Sequence, residues 1–457
     1  MYDIAVIGGG PGGYAAALYA HNFGLSVVLI EKDRIGGTCL LRGCVPAKAL
    51  IQSGEVFATV ESAAEFGVVT SDPTFDWPVA IERKTKVVEG LVNGLAGLLK
   101  TRRVEMMDGL GVLAGNGKVN VTHDDGSITE VEARAIIIAT GSSPSTIPGY
   151  EINGTTIVSS DEALDWSAQP QRVAIIGAGV IGCEFASLLA DVGSEVHIFE
   201  VQDQLVPGME PEAAKILSRA FRRKGITMHL GVGVGQPDVS PTSVIVPFGN
   251  ESVEVDTVLV AVGRKPMTDA INLDAVGVVA DRGFIPVDRA TMQTSASDVY
   301  AVGDIVAGTP QLAHVAFAEA IAAVTHIATG ETAPVDYNAV PMVVYTHPEI
   351  AWVGRTEAAA SADGYNVETT EHGMRGIARA IIQGQTGGTV KIVSEVDGQL
   401  LGATVVGPGA GEMIHELMYT VGFEALPREA ASFIHAHPTV SEAIGEALMA
   451  SAGRGLH

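Results

Sequence analysis

Two stretches of this chain repeat one pattern, and the repeat limits what the chain can fold into. YDIAVIGGGPGG at Tyr2 to Gly13 and RVAIIGAGVIG at Arg172 to Gly182 each place an apolar, β-branched run ahead of a glycine turn. Each continues into an Ala-rich stretch and a second apolar run ending in an acid, SVVLIEK with Glu31 and EVHIFEV with Glu200. Both then close on an apolar run and a glycine, AIIIATG at Ala135 to Gly141 and TVLVAVG at Thr257 to Gly263. A short apolar run, a glycine turn, a helical stretch and another apolar run make a βαβ unit, whose parallel strands are buried on both faces.

The pattern predicts an α/β protein with two Rossmann-like dinucleotide-binding domains and a C-terminal α+β domain. At 457 residues the chain is long enough for several cores. Its 47% hydrophobic content with only 5% aromatics suits buried parallel strands and closely packed helices. SSPSTIPGYEINGTTIVSSDEALDW, rich in Ser, Pro and Gly, reads as a linker, with a boundary near 145–150. After AVGRKP, a segment through VYAVGDIVAG at Val299 to Gly308 precedes a helical stretch from about Leu312 to Ala328. From VPMVVYTHPEIAWVG onward, strands such as GTVKIVSE and LLGATVVG are followed by helices.

Charge narrows the partners. Lys and Arg number 28 against 53 Asp and Glu, a net charge of −25, which argues against nucleic acid or an anionic membrane. The first residues enter a strand directly, without a basic n-region, an apolar h-region or a cleavage site, and no apolar run is long enough to span a bilayer. The expectation is a cytoplasmic or matrix-like protein.

Gly8, Gly10 and Gly13 have the spacing that lets a turn tighten, a pyrophosphate approach the backbone and a helix pack on its strand. Gly177, Gly179 and Gly182 repeat it, and Glu31 and Glu200 stand where a carboxylate accepts ribose hydroxyls. The alternative is a structural glycine turn. VQDQLVPG after Glu200 offers no Lys or Arg for a ribose 2′-phosphate, so NAD is preferred over NADP. A bound and an exchanging dinucleotide suggest a flavin coupled to a nicotinamide.

The chain has three cysteines, two of them in GGTCLLRGCVPAK. In a regular helix the five-residue step from Cys39 to Cys44 rises about 7.5 Å, beyond the roughly 7 Å Cα limit of a disulfide. They can bridge only if the backbone tightens, as Gly36, Gly37 and Gly43 allow, with Pro46 in the first turn of a following helix. Such a bridge would be reducible. Two packed thiols remain an alternative; half a metal site is a weaker one, since no second cysteine pair exists, and no metal is expected. Near the C-terminus, HAHPTVSEAIGEALM places Glu442 where it can orient the imidazole of His437. Thr439-x-x-Glu442 also reads as a capping box, which gives Glu442 a structural duty.

In this order the glycine fingerprint, GGTCLLRGCVPAK, IIIATG, GAGVIGCE, VYAVGD, YTHPEIAWVG and HAHPTVSEA resemble the flavin-dependent pyridine nucleotide-disulfide oxidoreductases, and within them those that oxidise dihydrolipoamide. The resemblance implies FAD and NAD as cofactors. It places an FAD domain in 1–147 and 269–338, an NAD domain in 148–268 and a dimerisation domain in 339–457.

Gly8, Gly10, Gly13, Glu31, Thr38, Lys48, Gly111, Thr140, Gly141, Asp304 and Ala313 would hold FAD; Gly177, Gly179, Gly182, Glu184, Glu200 and Gly263 would hold NAD. Cys39 would meet the substrate, Cys44 would face the flavin ring, and Lys48 would pair with Glu184 beside the nicotinamide. His437, supplied by the second subunit of a homodimer and oriented by Glu442, would deprotonate the dithiol. Leu41, Arg42 and Ala47 depart from residues common at their positions in the family. Cys183 has no matched role and reads as packing.

The implied partners are a lipoyl-bearing acyltransferase or a glycine-cleavage carrier. Two alternatives stay open: a reductase of another low-molecular-weight disulfide, and a non-catalytic, flavin-bound, redox-responsive subunit.

Overall fold

The computed structural model describes residues 1–115 and 117–456. The chain divides into two compact units, Met1–Leu50 with Trp77–Ser145 and Gly263–Val335, and Ile51–Asp76 with Thr146–Val262 and Asp336–His457.

The first unit is built on a parallel sheet in the order Glu105–Asp108, Val27–Glu31, Tyr2–Ile7, Ile128–Ile138, Val299–Ala301. Its central strands carry continuous apolar runs because both faces are covered: Ile4, Ala5, Val6 and Ile136 to Ile138 are all buried. Ile128–Ile138 changes character along its length. Its first three residues are exposed, Val131 to Ala135 alternate buried and exposed, and Ile128 to Glu132 pair antiparallel with Lys118–Thr122, which pairs in turn with Leu110–Gly115. The helix expected near 312–328 forms as Ala313–Thr329 and packs on the helix Pro11–Ala20. Small residues let them approach, and a Cβ on Gly12 would lie 3.6 Å from that of Ala316.

The second unit has its own parallel sheet, in the order Thr227–Leu230, Glu195–Glu200, Arg172–Ile176, Thr257–Val260, Ile157–Val158. It also holds an antiparallel sheet in the order Met342–Val344, Ile350–Gly354, Leu400–Val406, Thr389–Glu395, Val367–Gly373. The helices Ala410–Gly422 and Glu442–Ser451 bury Ile414, Leu417, Ile444 and Leu448 with this sheet's inner residues. Lys391, on Thr389–Glu395, is buried but satisfied: its Nζ donates to Glu210 Oε2 (2.9 Å), Glu212 Oε2 (3.1 Å) and Glu357 Oε2 (2.7 Å). Burial pulls its pKa down, and the three carboxylates outweigh that and raise it.

The stretch read as a linker is more ordered than its composition suggests. Ser142–Pro144 pairs with Arg264–Pro266, Ile157–Val158 is the edge strand above, and Ser159 with Glu162 forms a capping box on the short helix Ser160–Ala163. Local hydrogen bonds from Ser and Glu side chains stabilise these pieces, which apolar periodicity does not reveal. Among the described residues no helix is long and apolar enough to cross a membrane.

Candidate active site

The two glycine turns repeat each other contact for contact. Gly8 N–H donates to Ile30 O and Gly177 N–H to Phe199 O, both at 2.8 Å. Both glycines have positive φ, +106° and +101°, and a Cβ would lie 2.3 Å from Ala139 O at Gly8 and 2.4 Å from Ala261 O at Gly177. Gly13 and Gly182 sit so close beneath that a Cβ would strike the carbonyls of Gly8 (1.8 Å) and Gly177 (1.9 Å). By contrast, a Cβ on Gly179 would meet nothing within 4 Å, and one on Gly10 only Gly37 Cα at 3.7 Å. The outer glycines serve packing, while the middle one leaves open the approach to a helix N-terminus that has no side-chain cap.

The acids close the same loop in both copies. Glu31 Oε2 accepts Gly9 N–H (2.6 Å) and its Oε1 accepts Asp33 N–H (2.9 Å). Glu200 Oε2 accepts Ala178 N–H (2.9 Å) and its Oε1 accepts Gln202 N–H (3.0 Å). Each carboxylate is aimed by two amides and keeps lone pairs for hydroxyl donors. Thr140 Oγ1 is buried without a hydrogen-bond partner in the protein, at the end of the first unit's central strand. Open middle glycines, uncapped helix ends, aimed carboxylates and an orphaned hydroxyl together fit a dinucleotide.

Cys39 lies on the short helix Gly37–Arg42, and Cys44 begins the helix Cys44–Glu61. Gly36 and Gly37 have positive φ, and a Cβ on Gly43 would stand 2.9 Å from Thr38 O, so the chain tightens where the sequence has glycine. Both sulfurs occur as thiols, Cys39 half-buried and Cys44 exposed, hydrogen-bonded to each other. That bond, then burial, Cys44 and Asp304 push the Cys39 thiol up, while Lys48 acts in the opposite direction. Cys39, Cys44, Lys48 and Asp304 are thus brought together. Arg42 turns away to pair with Asp33, Leu41 packs against the core, and Ala47 N–H continues the helix to Gly43 O (3.0 Å).

Three residues here have no signal in the fingerprints. Tyr14, one turn into the helix after the first glycine turn, has its phenol pushed up by burial and by both cysteines. Arg264 Nε donates to Ser142 Oγ (2.7 Å), Arg264 Nη2 donates to Ser142 O (2.8 Å) and Thr38 Oγ1 (3.4 Å), and Ser142 Oγ donates to Asp304 Oδ2. Asp304 is aimed further by the turn before it, where Gly303 N–H donates to the buried Glu319 Oε2 (2.6 Å). The segments carrying Arg264, Ser142 and Asp304 meet only through the fold.

The remaining positions read from sequence are distributed as follows. Gly111 is buried against Ile7 and Ile30, Ala313 opens the helix Ala313–Thr329, Gly141 O accepts Met267 N–H (2.8 Å), and Gly263 O accepts Ser145 N–H (2.9 Å). Glu184, in the second unit, is buried and its Oε1 accepts Tyr345 N–H (3.0 Å). Cys183 is fully buried with its thiol on Ala178 O (3.3 Å), a packing position, and burial pushes its pKa up. Among the described residues no group of three or more His, Cys, Asp or Glu is disposed to hold a metal.

In the second unit His437 Nδ1 is 2.9 Å from Glu442 Oε1, and Glu442 Oε2 accepts Thr439 N–H at 2.9 Å. The carboxylate therefore does both jobs that the sequence offered it. The helix itself begins at Glu442 behind Ser441, and Thr439 Oγ1 donates to Ala436 O, so the expected capping box forms only on its glutamate side. The Thr439 amide and His437 hold the Glu442 carboxyl below its ordinary range. An ionised carboxylate only accepts, so Nδ1 carries a proton, and in the neutral ring Nε2 is the acceptor; the side chain is 71% exposed.

Residues 2–320 match the pyridine nucleotide-disulphide oxidoreductase family, and residues 340–448 match that family's dimerisation domain. A dihydrolipoyl dehydrogenase of Bacillus subtilis is 37% identical, with 100% of this chain and 99% of the relative covered. One of Chlorobaculum parvum is 40% identical over 99% of this chain and 97% of its own length. Among solved structures, LpdA from Mycobacterium tuberculosis superposes with a TM-score of 0.92 at 29% identity, covering 98% of this chain and 99% of that one. RclA, an HOCl-induced flavoprotein disulfide reductase from Escherichia coli, does so with a TM-score of 0.86 at 26% identity, covering 98% and 99%. With two repeated glycine turns, a thiol pair beside the first and the matching dimerisation domain, this chain belongs to the pyridine nucleotide-disulphide oxidoreductases.

Proposed function

We propose that the chain acts as a dihydrolipoyl dehydrogenase, a homodimeric FAD enzyme that oxidises protein-bound dihydrolipoamide to lipoamide and reduces NAD to NADH. The observation that carries this reading is the Cys39–Cys44 thiol pair beside the first glycine turn, in a chain whose relatives of that name align end to end. On this reading the first unit holds FAD on Gly8, Gly10, Gly13, Glu31, Thr38, Lys48, Thr140 and Asp304. Gly177, Gly179, Gly182, Glu184 and Glu200 hold NAD. The partners are lipoyl-bearing proteins, an acyltransferase core or a glycine-cleavage carrier, in the reducing cytoplasm, where a thiol pair can cycle.

His437 Nε2, from a second copy of the chain, takes the proton from one substrate thiol. The resulting thiolate attacks Cys39 Sγ of the oxidised pair, and Cys44 leaves as the thiolate. The second substrate thiol then displaces Cys39 from the mixed disulfide, closing the lipoamide ring and leaving the Cys39–Cys44 pair reduced. Glu442 keeps the imidazole in the tautomer that makes the first step possible and stabilises its cation. FAD, when bound, supplies the two-electron step from the dithiol to NAD. The balance is one dithiol oxidised, one NADH formed and one proton released.

The test is an anaerobic titration of the purified protein with dihydrolipoamide, counting protein thiols and then the NADH formed on adding NAD. One NADH per dithiol, abolished by Cys44→Ser, is expected; full turnover in Cys44→Ser would sink the reading. Thiols that reduce with NADH but never with dihydrolipoamide would keep the relay and change the substrate.

A further inference from the structure

His435, two residues before His437, is held as firmly as His437 is exposed. Its side chain is only 13% exposed, and Nε2 lies 2.8 Å from Glu416 Oε1 on the helix Ala410–Gly422. On its other side stands the helix Glu442–Ser451, whose Gly445 is there for space: a Cβ at Gly445 would lie 2.6 Å from His435 Nδ1. One imidazole is therefore wedged between two helices of the C-terminal domain. The loop it belongs to carries His437, and the second helix begins with Glu442.

We propose that His435 is a positioning residue for the reaction: clamped between Glu416 and Gly445, it fixes the loop that presents His437. The inference rests on the reading of His437 as the base. Glu416 is the main cause raising the His435 pKa, burial opposes it, and the Glu442 carboxylate adds to the rise. His435 in turn helps to hold Glu442 down. The other titratable groups on the two packed helices are Glu412, His415, whose Nδ1 is 3.2 Å from Glu412 O, the exposed Tyr419 and the buried Glu446.

The experiment compares the FAD-loaded dimer with its His435→Gln, His435→Phe, Gly445→Ala and His437→Gln variants. Turnover of dihydrolipoamide is read across pH, and reduction of ferricyanide by NADH, which needs no thiol base, serves as the internal reference. His435→Gln keeps an N–H for Glu416, and the expected result is dithiol turnover within a few-fold of the parent. His435→Phe loses that hydrogen bond, and kcat falls ~10- to 100-fold, the scale of a misplaced reacting group. Gly445→Ala, which displaces the ring without removing it, moves in the same direction as His435→Phe. Ferricyanide reduction stays at the level of the parent in all three. Unchanged dithiol turnover in His435→Phe and Gly445→Ala, or losses of equal size in both assays, would overturn the proposal. Retained dithiol turnover in His437→Gln would instead overturn the reading beneath it.

Discussion

His437 Nδ1 stands 2.9 Å from Glu442 Oε1, and the other oxygen of that carboxylate is tied to the amide of Thr439. The carboxylate is thus fixed by the backbone before it orients the ring. His437→Gln is expected to lower kcat for dihydrolipoamide by about 10²- to 10⁴-fold, the usual weight of a general base. Glu442→Gln should cost less. Because Glu442 is held below its ordinary range, it is charged through neutral pH, and Glu442→Gln keeps an oxygen to accept from Nδ1 while losing that charge, so the loss should fall on kcat. Steady-state profiles of the two variants check both statements.

The glycine turns predict a contrast between two substitutions. Gly177→Ala adds a methyl 2.4 Å from Ala261 O at φ +101°, whereas Gly231→Ala adds one with nothing within 4 Å at φ +70°. The second pays only for its backbone conformation, about 1–2 kcal/mol. The first adds a backbone collision and should cost clearly more, upward of about 3 kcal/mol. Urea unfolding midpoints separate them, and equal losses would contradict the packing described for Gly177.

Lys391 is 6% exposed and Glu210 3%, so removing the lysine leaves a buried carboxylate without its cation. Lys391→Met is expected to cost about 3–5 kcal/mol, and the double change with Glu210→Met much less. The pH dependence has two ends. Lys391 is raised, so its contribution is complete below the ordinary lysine range and is lost as pH rises through the raised value. Glu212 is lowered, so its contribution is complete above the ordinary carboxylate range and is lost as pH falls through the lowered value. Stability from this cluster should be level through neutral pH, and denaturant midpoints across pH test it.

Both oxygens of Glu200 are engaged by backbone amides, at Ala178 and Gln202, which fixes the carboxylate at the second glycine turn, where the proposed function sets the NAD ribose. A 2′-phosphate would meet it directly. Preference for NAD over NADP in kcat/KM should be roughly a hundredfold or more, since juxtaposed like charges cost several kcal/mol. Glu200→Gln should narrow that ratio, chiefly by improving NADP.

The local motifs were legible in the chain because their physics is local. Gly8 and Gly177 need a backbone conformation that glycine adopts readily, the apolar runs from Ile4 and Val173 need burial on both faces, and Glu442 lies close enough in sequence to reach His437. Those constraints act within a few residues or one βαβ unit, so the order of residue types expresses them directly. What joins distant segments was not legible. Arg264 reaches Ser142 and Thr38, Ser142 reaches Asp304, Lys391 gathers Glu210, Glu212 and Glu357, and His435 finds Glu416 and the space at Gly445. No spacing rule links such residues, because their distances are set by how sheets and helices stack. Local chemistry along the chain set the turns and strands and put Glu442 within reach of His437; packing between distant segments settled which buried charges neutralise one another and which rings are held in place.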